Sequence, residues 1–309
     1  MGKKRHEPVK VTQTFYRLGT PSFPVYLSLG DDGMLIEGGT GATFAIIVEQ
    51  IEELGIKPER IKYIALTHTH PDHIGAVPHL KQLWPHLKIA ASSIAAKLLK
   101  SQRMLKEFHI TDHNITGIML KKGEIEEPPP EVEGYVFHVD KVLEEGDKLD
   151  LGSGIVWTVY NTPGHSPCHI SLYEEKEGTL AVGDATGFYV PEKDVFWPNY
   201  FDSLEAYCHT IRKLATLPAR RGALSHNAVV DGRLEDYFHK AIEATESYHS
   251  EMLKRLGNGE DPEKIALDKA KWVNSLTDIQ TFEIMYELAK LMLARSQSEA
   301  GNEKLFTVE

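Results

Sequence analysis

The pattern of apolar and polar positions changes character twice along the chain. The first third is a series of short β-rich runs, Thr14–Leu18, Pro24–Leu29 and Met34–Glu37. Turn-forming residues separate them at Gly19-Thr20-Pro21 and Gly30-Asp31-Asp32-Gly33. Ala45, Ile46, Val48, Ile51 and Leu54 then fall near a 3.6-residue period, which predicts a helix closed by Gly55 and Pro58. Ile61–Leu66 reads as a buried strand, Ile74–Trp84 as helix in spite of Pro78, Leu87–Ala91 as strand and Ser93–Phe108 as helix. Residues 109–134 lose this pattern and contain the acidic, proline-rich run Glu124–Glu133, read as a surface loop. Strands resume at Tyr135–Val139, Ile155–Tyr160, Ile170–Tyr173 and Thr179–Val182. A helix follows Ser203 as far as Leu214, and a short strand at Ala223–Ser225 leads to His226. From Leu234 to Arg295 the period is helical throughout, with breaks near Gly257–Asp261 and Asn274–Thr277 that predict three helices. The expected organisation is an α/β core at residues 1–230, with a helical and loop insert at 93–134, and a helical extension at 231–309.

Composition narrows the partners. Lys and Arg number 34 against 45 Asp and Glu, a formal net charge of -11, which disfavours long nucleic acid and anionic membranes. No apolar run approaches the length that crosses a bilayer. The segment MGKKRHEPVKVTQTFYRL is basic at its start but has no apolar core of a signal peptide. Two cysteines, Cys168 and Cys208, make no disulfide framework, so the expected setting is the reducing cytoplasm. The 15 histidines are the unusual count, and several of them cluster.

The densest cluster is His68-Thr69-His70-Pro71-Asp72-His73, directly after the Ile61–Leu66 strand. On an extended segment residues two apart point the same way, so His68 and His70 can offer imidazoles to one metal ion. The turn at Pro71 lets Asp72 and His73 face a second position beside it. Imidazole and carboxylate donors of this kind suit Zn²⁺ and related divalent ions.

Thr67–Ala76, read THTHPDHIGA, resembles the metal-binding signature of the metallo-β-lactamase-fold hydrolases, and the rest of their pattern follows in order. Thr162-Pro163-Gly164-His165-Ser166-Pro167 is similar to the family's second block, Gly183-Asp184 to its third and Ser225-His226 to its last. The resemblance covers residues 11–230 and implies a four-layer αββα sandwich with a helical C-terminal extension. Carried over by position, it implies His68, His70 and His165 on one divalent ion, Asp72, His73 and His226 on a second, and Asp184 between them. Zinc is the expected metal, with iron or manganese as alternatives. Two departures stand out: Cys168 occupies a position where the family has Gly, and Leu-Ser-His-Asn replaces Gly-His-Gly around His226. Di-iron redox members carry Glu two residues after the first His, together with a flavodoxin domain. This chain has His70 there, which favours hydrolysis.

The resemblance further implies that a metal-bridging hydroxide attacks the carbonyl of a small ester, thioester or lactone, with Asp72 and Asp184 in the catalytic set. Ser166 and Cys168 are read as turn residues rather than nucleophiles. The aromatic segment after Asp184 supplies Phe188, Tyr189, Trp197 and Tyr200 as candidate substrate-binding residues, with Phe196 and Phe201 beside them. Met104, Phe108, His109 and His113 of the insert are candidates to cap the site. Tyr248, Met252, Leu256, Trp272, Met285, Tyr286 and Met292 offer core packing, a cover for the site or a homodimer face. A helical tail after such a core is also the layout of glyoxalase-II-type thioesterases and the quinolone-response thioesterase of pseudomonads. Two other readings stay open on the sequence: a phosphodiesterase or nuclease on the same fold, and a regulatory protein with a vestigial metal site.

Overall fold

The computed structural model describes residues 5–132, 137–227, 229–232, 234–302 and 304–306. The first half of the chain builds one sheet from β1 (Val9–Lys10), β2 (Phe15–Gly19), β3 (Pro24–Leu29), β4 (Gly33–Ile36), β5 (Ile61–Ala65), β6 (Lys88–Ser92) and β7 (Lys141–Leu143), in that spatial order. Strands β1 to β4 pair antiparallel and β4 to β7 pair parallel. Between them run α1 (Phe44–Glu53), α2 (Pro71–Ile74), α3 (Val77–Leu83), α4 (Ser93–Leu98) and α5 (Gln102–Lys121). The second half supplies β8 (Lys148–Asp150), β9 (Val156–Asn161), β10 (Ile170–Glu174), β11 (Thr179–Gly183), a ribbon of β12 (Phe188–Val190) and β13 (Val195–Trp197), α6 (Leu204–Ala215), β14 (Arg221–Leu224) and β15 (Val229–Asp231). Its sheet has the order β15-β14-β11-β10-β9-β8, with β11 and β14 parallel. Three helices close the chain: α7 (Leu234–Gly257), α8 (Pro262–Leu276) and α9 (Phe282–Ser298).

Alternation along the strands sorts side chains into three apolar layers. Phe15, Tyr26, Met34, Ile36 and Ala65 of the first sheet meet Leu149, Trp157, Leu172, Ala181 and Ala223 of the second. The neighbouring positions Leu27, Leu35 and Ile64 turn the other way, onto Ile47, Ile51, Val77 and Leu80 of the helices that cover the first sheet. Leu180, Val182 and Leu224 face α6 and the C-terminal helices in a third cluster. Helix, sheet, sheet, helix is the four-layer αββα sandwich. Polar groups trapped between the sheets are paired across them: Tyr26 donates to the Leu224 carbonyl at 2.6 Å and the Trp157 indole to Ser28 Oγ at 2.9 Å.

Most element boundaries lie within a residue or two of the sequence pattern, and the departures have physical causes. The helix expected over Ser93–Phe108 is two helices, because the Ser101 side chain caps a new start at Gln102. Helix α5 then runs on to Lys121, past Phe108 where the expected helix stopped, within the helical and loop insert. Of the strand expected at Tyr135–Val139, residues 135–136 lie outside the described residues and 137–139 are irregular; the edge strand is β7. The β12–β13 ribbon went unread because three-residue strands carry too little alternation. In the extension, Tyr248, Met252, Met285 and Met292 are all buried within the chain's own apolar cluster.

Candidate metal centre

The sequence motifs converge where strands end. Strands β4 and β5 of one sheet and β11 and β14 of the other end at the same edge of the sandwich. A bond from the Ile170 N–H to the Thr67 carbonyl, 2.8 Å, ties the two sheets together there. Residues 67–70 continue from β5, α2 carries Asp72 and His73, the β9–β10 turn carries His165, Asp184 follows β11 and His226 follows β14. Seven side chains from four separate stretches of the sequence thereby share one cluster. Three sets have ligand atoms within 4.8 Å of one another: His68, His70 and His165; His68, His73 and Asp184; Asp72, His73 and His226.

The distances suit cations. His70 Nδ1 lies 3.0 Å from both His68 Nε2 and His165 Nε2. At a zinc–nitrogen distance of about 2.0–2.1 Å, tetrahedral donors stand about 3.3 Å apart, so these three nitrogens need little movement to share an ion. Asp184 Oδ2 lies 3.4 Å from His165 Nε2 and 3.4 Å from His73 Nε2, and its Oδ1 lies 3.6 Å from His226 Nε2. It stands between the two sets. Asp72 Oδ2 is 3.4 Å from His73 Nε2 and 3.5 Å from His226 Nε2.

The far side of each ring explains why the near side is free to bind. The Asn199 and Ser22 carbonyls can only accept, so His165 and His226 carry their protons on Nδ1, at 2.9 and 2.7 Å, and turn Nε2 lone pairs inward. His68 Nδ1 meets Thr67 Oγ1 at 2.9 Å, and that hydroxyl donates onward to Glu37 Oε1 at 2.7 Å. Glu37 is the hub of this outer layer. Its Oε1 also accepts from Ser225 Oγ at 2.7 Å, and its Oε2 lies 3.3 Å from His73 Nδ1. Glu37 holds a left-handed backbone, φ 73°, which directs its carboxylate back under the ligands.

Burial and charge compete throughout the cluster. Burial and neighbouring imidazoles push His68 well below the ordinary histidine range, and burial likewise lowers His165 against the pull of Asp184. Burial also opposes charge on His73 and His226, but the surrounding carboxylates outweigh it and raise both. Asp72 and Asp184 are held low by those histidines in spite of burial. Even so, His73 Nε2 and Asp184 Oδ1 are buried without a hydrogen-bond partner, an arrangement that costs free energy unless another group completes it. Divalent cations fit this donor set.

His169 is a second residue that the sequence pattern left unassigned. Its Nδ1 meets Thr162 Oγ1 at 2.8 Å and its Nε2 accepts from the Asp184 backbone N–H at 3.0 Å. Burial lowers its pKa to about 4, which keeps Nε2 an acceptor. Gly183, at φ 67°, is obligatory beside it, since a Cβ there would lie 2.4 Å from Nε2. The signal was present one residue after Cys168, but nothing in the spacing separates a ligand from a ligand's support.

Both departures from the family pattern are accommodated. Cys168 lies outside the left-handed region, and its Sγ sits 3.1 Å from Ser166 Oγ and 3.5 Å from Thr69 Oγ1, packed under the turn. Asn227 adopts φ 64°, a conformation asparagine tolerates where most residues do not, and its side chain donates to the Tyr189 carbonyl.

The aromatic candidates divide. The Phe188 ring is 5.2 Å from His226, and Phe201 is 5.1 Å from His165. Trp197 packs behind both, at 6.5 Å from Phe188 and 6.0 Å from Phe201. Phe23, from the β2–β3 turn, lies 6.1 Å from His226 and was not singled out in the sequence. Tyr189 pairs instead with Phe196 and Tyr237, and Tyr200 is fully buried with its hydroxyl on Ser296. In the insert, His109 and His113 are exposed, and Phe108 packs on the first-sheet cluster. Ile115 and Met119 are the insert residues that join Phe23 and Phe188 in one apolar cluster.

Comparison with known proteins agrees with this geometry. The metallo-beta-lactamase superfamily model matches residues 19–226. The chain is 33% identical over 134 residues to the metallo-beta-lactamase fold-containing protein ST1585 of Sulfurisphaera tokodaii, covering 42% of this chain and 47% of that one. It is 24% identical over 236 residues to the atrochrysone carboxyl ACP thioesterase of Aspergillus fumigatus, covering 75% and 58%. The chain spans about half the length of the first curated relatives it matches. Among solved structures, the metallo-beta-lactamase family protein TTHA1429 of Thermus thermophilus superposes with a TM-score of 0.64 at 21% identity over 95% of both chains. BJP-1, a subclass B3 metallo-beta-lactamase of Bradyrhizobium japonicum, gives 0.58 at 20% identity over 84% of this chain and 98% of its own. At such identities the structural likeness is one of fold. Together with the family match and the converging histidines and aspartates, it leads to one statement: the chain belongs to the metallo-beta-lactamase superfamily.

Proposed function

We propose that the chain is a dinuclear metal-dependent hydrolase acting on the carbonyl of a small ester, thioester or lactone. The observation that carries this reading is the position of Asp184 between a three-imidazole set and an acid-containing set. In it, His68, His70 and His165 hold one divalent ion, Asp72, His73 and His226 hold the second, and Asp184 reaches both. Zinc suits these donors best, and iron or manganese can use the same set. Bound there, the ions supply Lewis acidity toward a carbonyl oxygen and lower the pKa of water toward neutrality.

The remaining work falls to the chain's own groups. Thr67, Glu37, Ser22 and Asn199 fix the rings in advance, so that orientation is set before substrate arrives. Asp72 has the more exposed carboxylate, 12% against 5% for Asp184, and stands at the open edge as an anion held by His73 and His226. Phe201, half-buried beside His165, offers an apolar acyl group a surface, backed near His226 by the buried rings of Phe23 and Phe188, which exclude water. That wall, and the alignment of a named thioesterase over three quarters of the chain, support carbonyl substrates. Ser166 and Cys168 are engaged with each other under the turn and take no nucleophilic part.

Elemental analysis of the purified protein, combined with a p-nitrophenyl ester, an acyl thioester, a lactone and bis-p-nitrophenyl phosphate, tests the reading. The expected result is close to two divalent ions per chain and turnover of carbonyl substrates that chelation removes and metal restores. Full activity in a metal-free preparation, or turnover of the phosphodiester alone, would overturn it.

A further inference from the structure

Helix α5 carries a residue that neither the metal chemistry nor the apolar pattern explains. Its buried face is Leu105, Asp112, Ile115, Thr116 and Met119. Asp112, only 5% exposed, stands in the middle of that face, where leucine would be the ordinary choice. Its Oδ1 accepts from the Gly41 backbone N–H at 2.9 Å. A Cβ on Gly41 would lie 2.5 Å from Asp112 Oδ2, and a Cβ on Gly75 would lie 2.3 Å from Oδ1. The carboxyl therefore fills a cradle that exists only because both neighbours are glycine.

Those two glycines belong to backbone segments stitched directly to each other. The Gly38 N–H donates to the His73 carbonyl and the Gly75 N–H to the Gly39 carbonyl, each at 2.7 Å, and Ala76 bonds to Gly38 at 3.3 Å. One segment continues from Glu37, the hub of the outer layer, and the other from Asp72 and His73. A leucine at position 112 would bury more apolar surface but leave the Gly41 N–H, at the start of the helical run into α1, without an acceptor.

We infer that Asp112 is a positioning residue for the centre. It seats the insert on the junction of residues 38–41 with 73–76, and through that junction holds Asp72 and His73 at the spacing of the second donor set. The inference rests on the dinuclear reading. His68 and His70 precede Pro71 and are anchored separately, through Thr67 and the Ile170 bond, so the first set does not depend on this contact.

The test is zinc retention by the full chain in competition with a chelator, with the visible spectrum of the cobalt-substituted protein as a second readout. For Asp112→Ala the expected result is that one of two equivalents is released about 10–100-fold more readily while the other is held as in the wild type. Asp112→Asn keeps the acceptor and the shape, and should hold both equivalents normally. Should the alanine variant fail to fold, Asp112→Glu, whose extra methylene the cradle has no room for, carries the same expectation. Wild-type retention of both ions by the alanine or glutamate variant, equal loss of both, or an asparagine variant that behaves like alanine would each overturn the inference. A wild-type protein that binds fewer than two ions would instead remove the dinuclear reading itself.

Discussion

The ligand-bearing edge of the sandwich and the C-terminal helices are both buried, for opposite reasons. At the edge, His68, His73, His165, His226 and the carboxylates of Glu37 and Asp184 are buried, His70 and Asp72 are half-buried, and burial opposes the charge on Asp72 and Asp184. The protein sustains this by mutual pairing, by hydroxyls on Glu37 and by carbonyls on two rings, and still leaves His73 Nε2 and Asp184 Oδ1 unpartnered. In α7–α9 the buried side chains are mainly apolar, Met252, Ile265, Val273, Met285, Met292 and Leu293 among them. Of the buried polar groups Thr245 is satisfied by its own helix and Lys269 by Glu251, while the Tyr248 hydroxyl and His249 Nδ1 lack a hydrogen-bond partner among the described residues. Burial of the apolar majority is favourable in itself. Chemistry and stability are thus drawn from different regions, and substitutions should separate them.

The largest separation is expected at Asp184. Asp184→Ala removes the group placed between the two donor sets, so turnover should fall to background and metal content should drop below that of the wild type. Far-UV circular dichroism and cooperative melting should persist. A variant that keeps its full metal content would break the contrast from the chemical side. Met292→Ala is the converse experiment. Met292 is fully buried in the helical cluster, and truncation there should cost about 2–5 kcal/mol in denaturant unfolding. Metal content should not change, and a parallel loss of metal would show that the extension and the centre are energetically one unit.

The same contrast explains what the sequence revealed. An α/β core with a helical extension was legible because strands such as Pro24–Leu29 and Ile61–Ala65 are short, dense and bounded by turn residues, and α7–α9 keep a regular period. The four-layer arrangement was implied only by the family resemblance of the histidine and aspartate motifs. His68, His70, Asp72 and His73 were legible because four donors in six residues have little other use. The supporting residues were not. Glu37 earns its role from a left-handed backbone and from hydroxyls that arrive from β5 and β14, neither visible in a linear pattern. His169 differs from His165 only in the direction its ring faces. The aromatic segment shows the limit from the other side: composition flagged it, but ring orientation set Phe188 against His226 and sent Tyr200 to Ser296.

Asp112 sharpens the comparison, because it is a buried acid placed on a helix face that otherwise follows the logic of the extension. Burial pushes its pKa up to about 7, against the Gly41 bond that lowers it and with the Asp72 charge that raises it further. An unfolded aspartate ionises near pH 3.9. Between those values the folded chain binds a proton that the unfolded chain has released, so this group's contribution to stability declines as pH rises and levels off above pH 7. From pH 6 to pH 8 the loss amounts to about 1.4 kcal/mol, one unit of differential protonation. Nearby His79, which burial lowers to about 4, does not titrate in that window. Asp112→Asn, which cannot ionise and keeps the Gly41 acceptor, should remove that slope from the pH dependence of denaturant unfolding and be the more stable protein at pH 8. If the wild type and the asparagine variant lose stability in parallel from pH 6 to 8, the carboxyl at position 112 is already ionised in the fold. The cradle between Gly41 and Gly75 would then be holding a charge rather than a neutral acid.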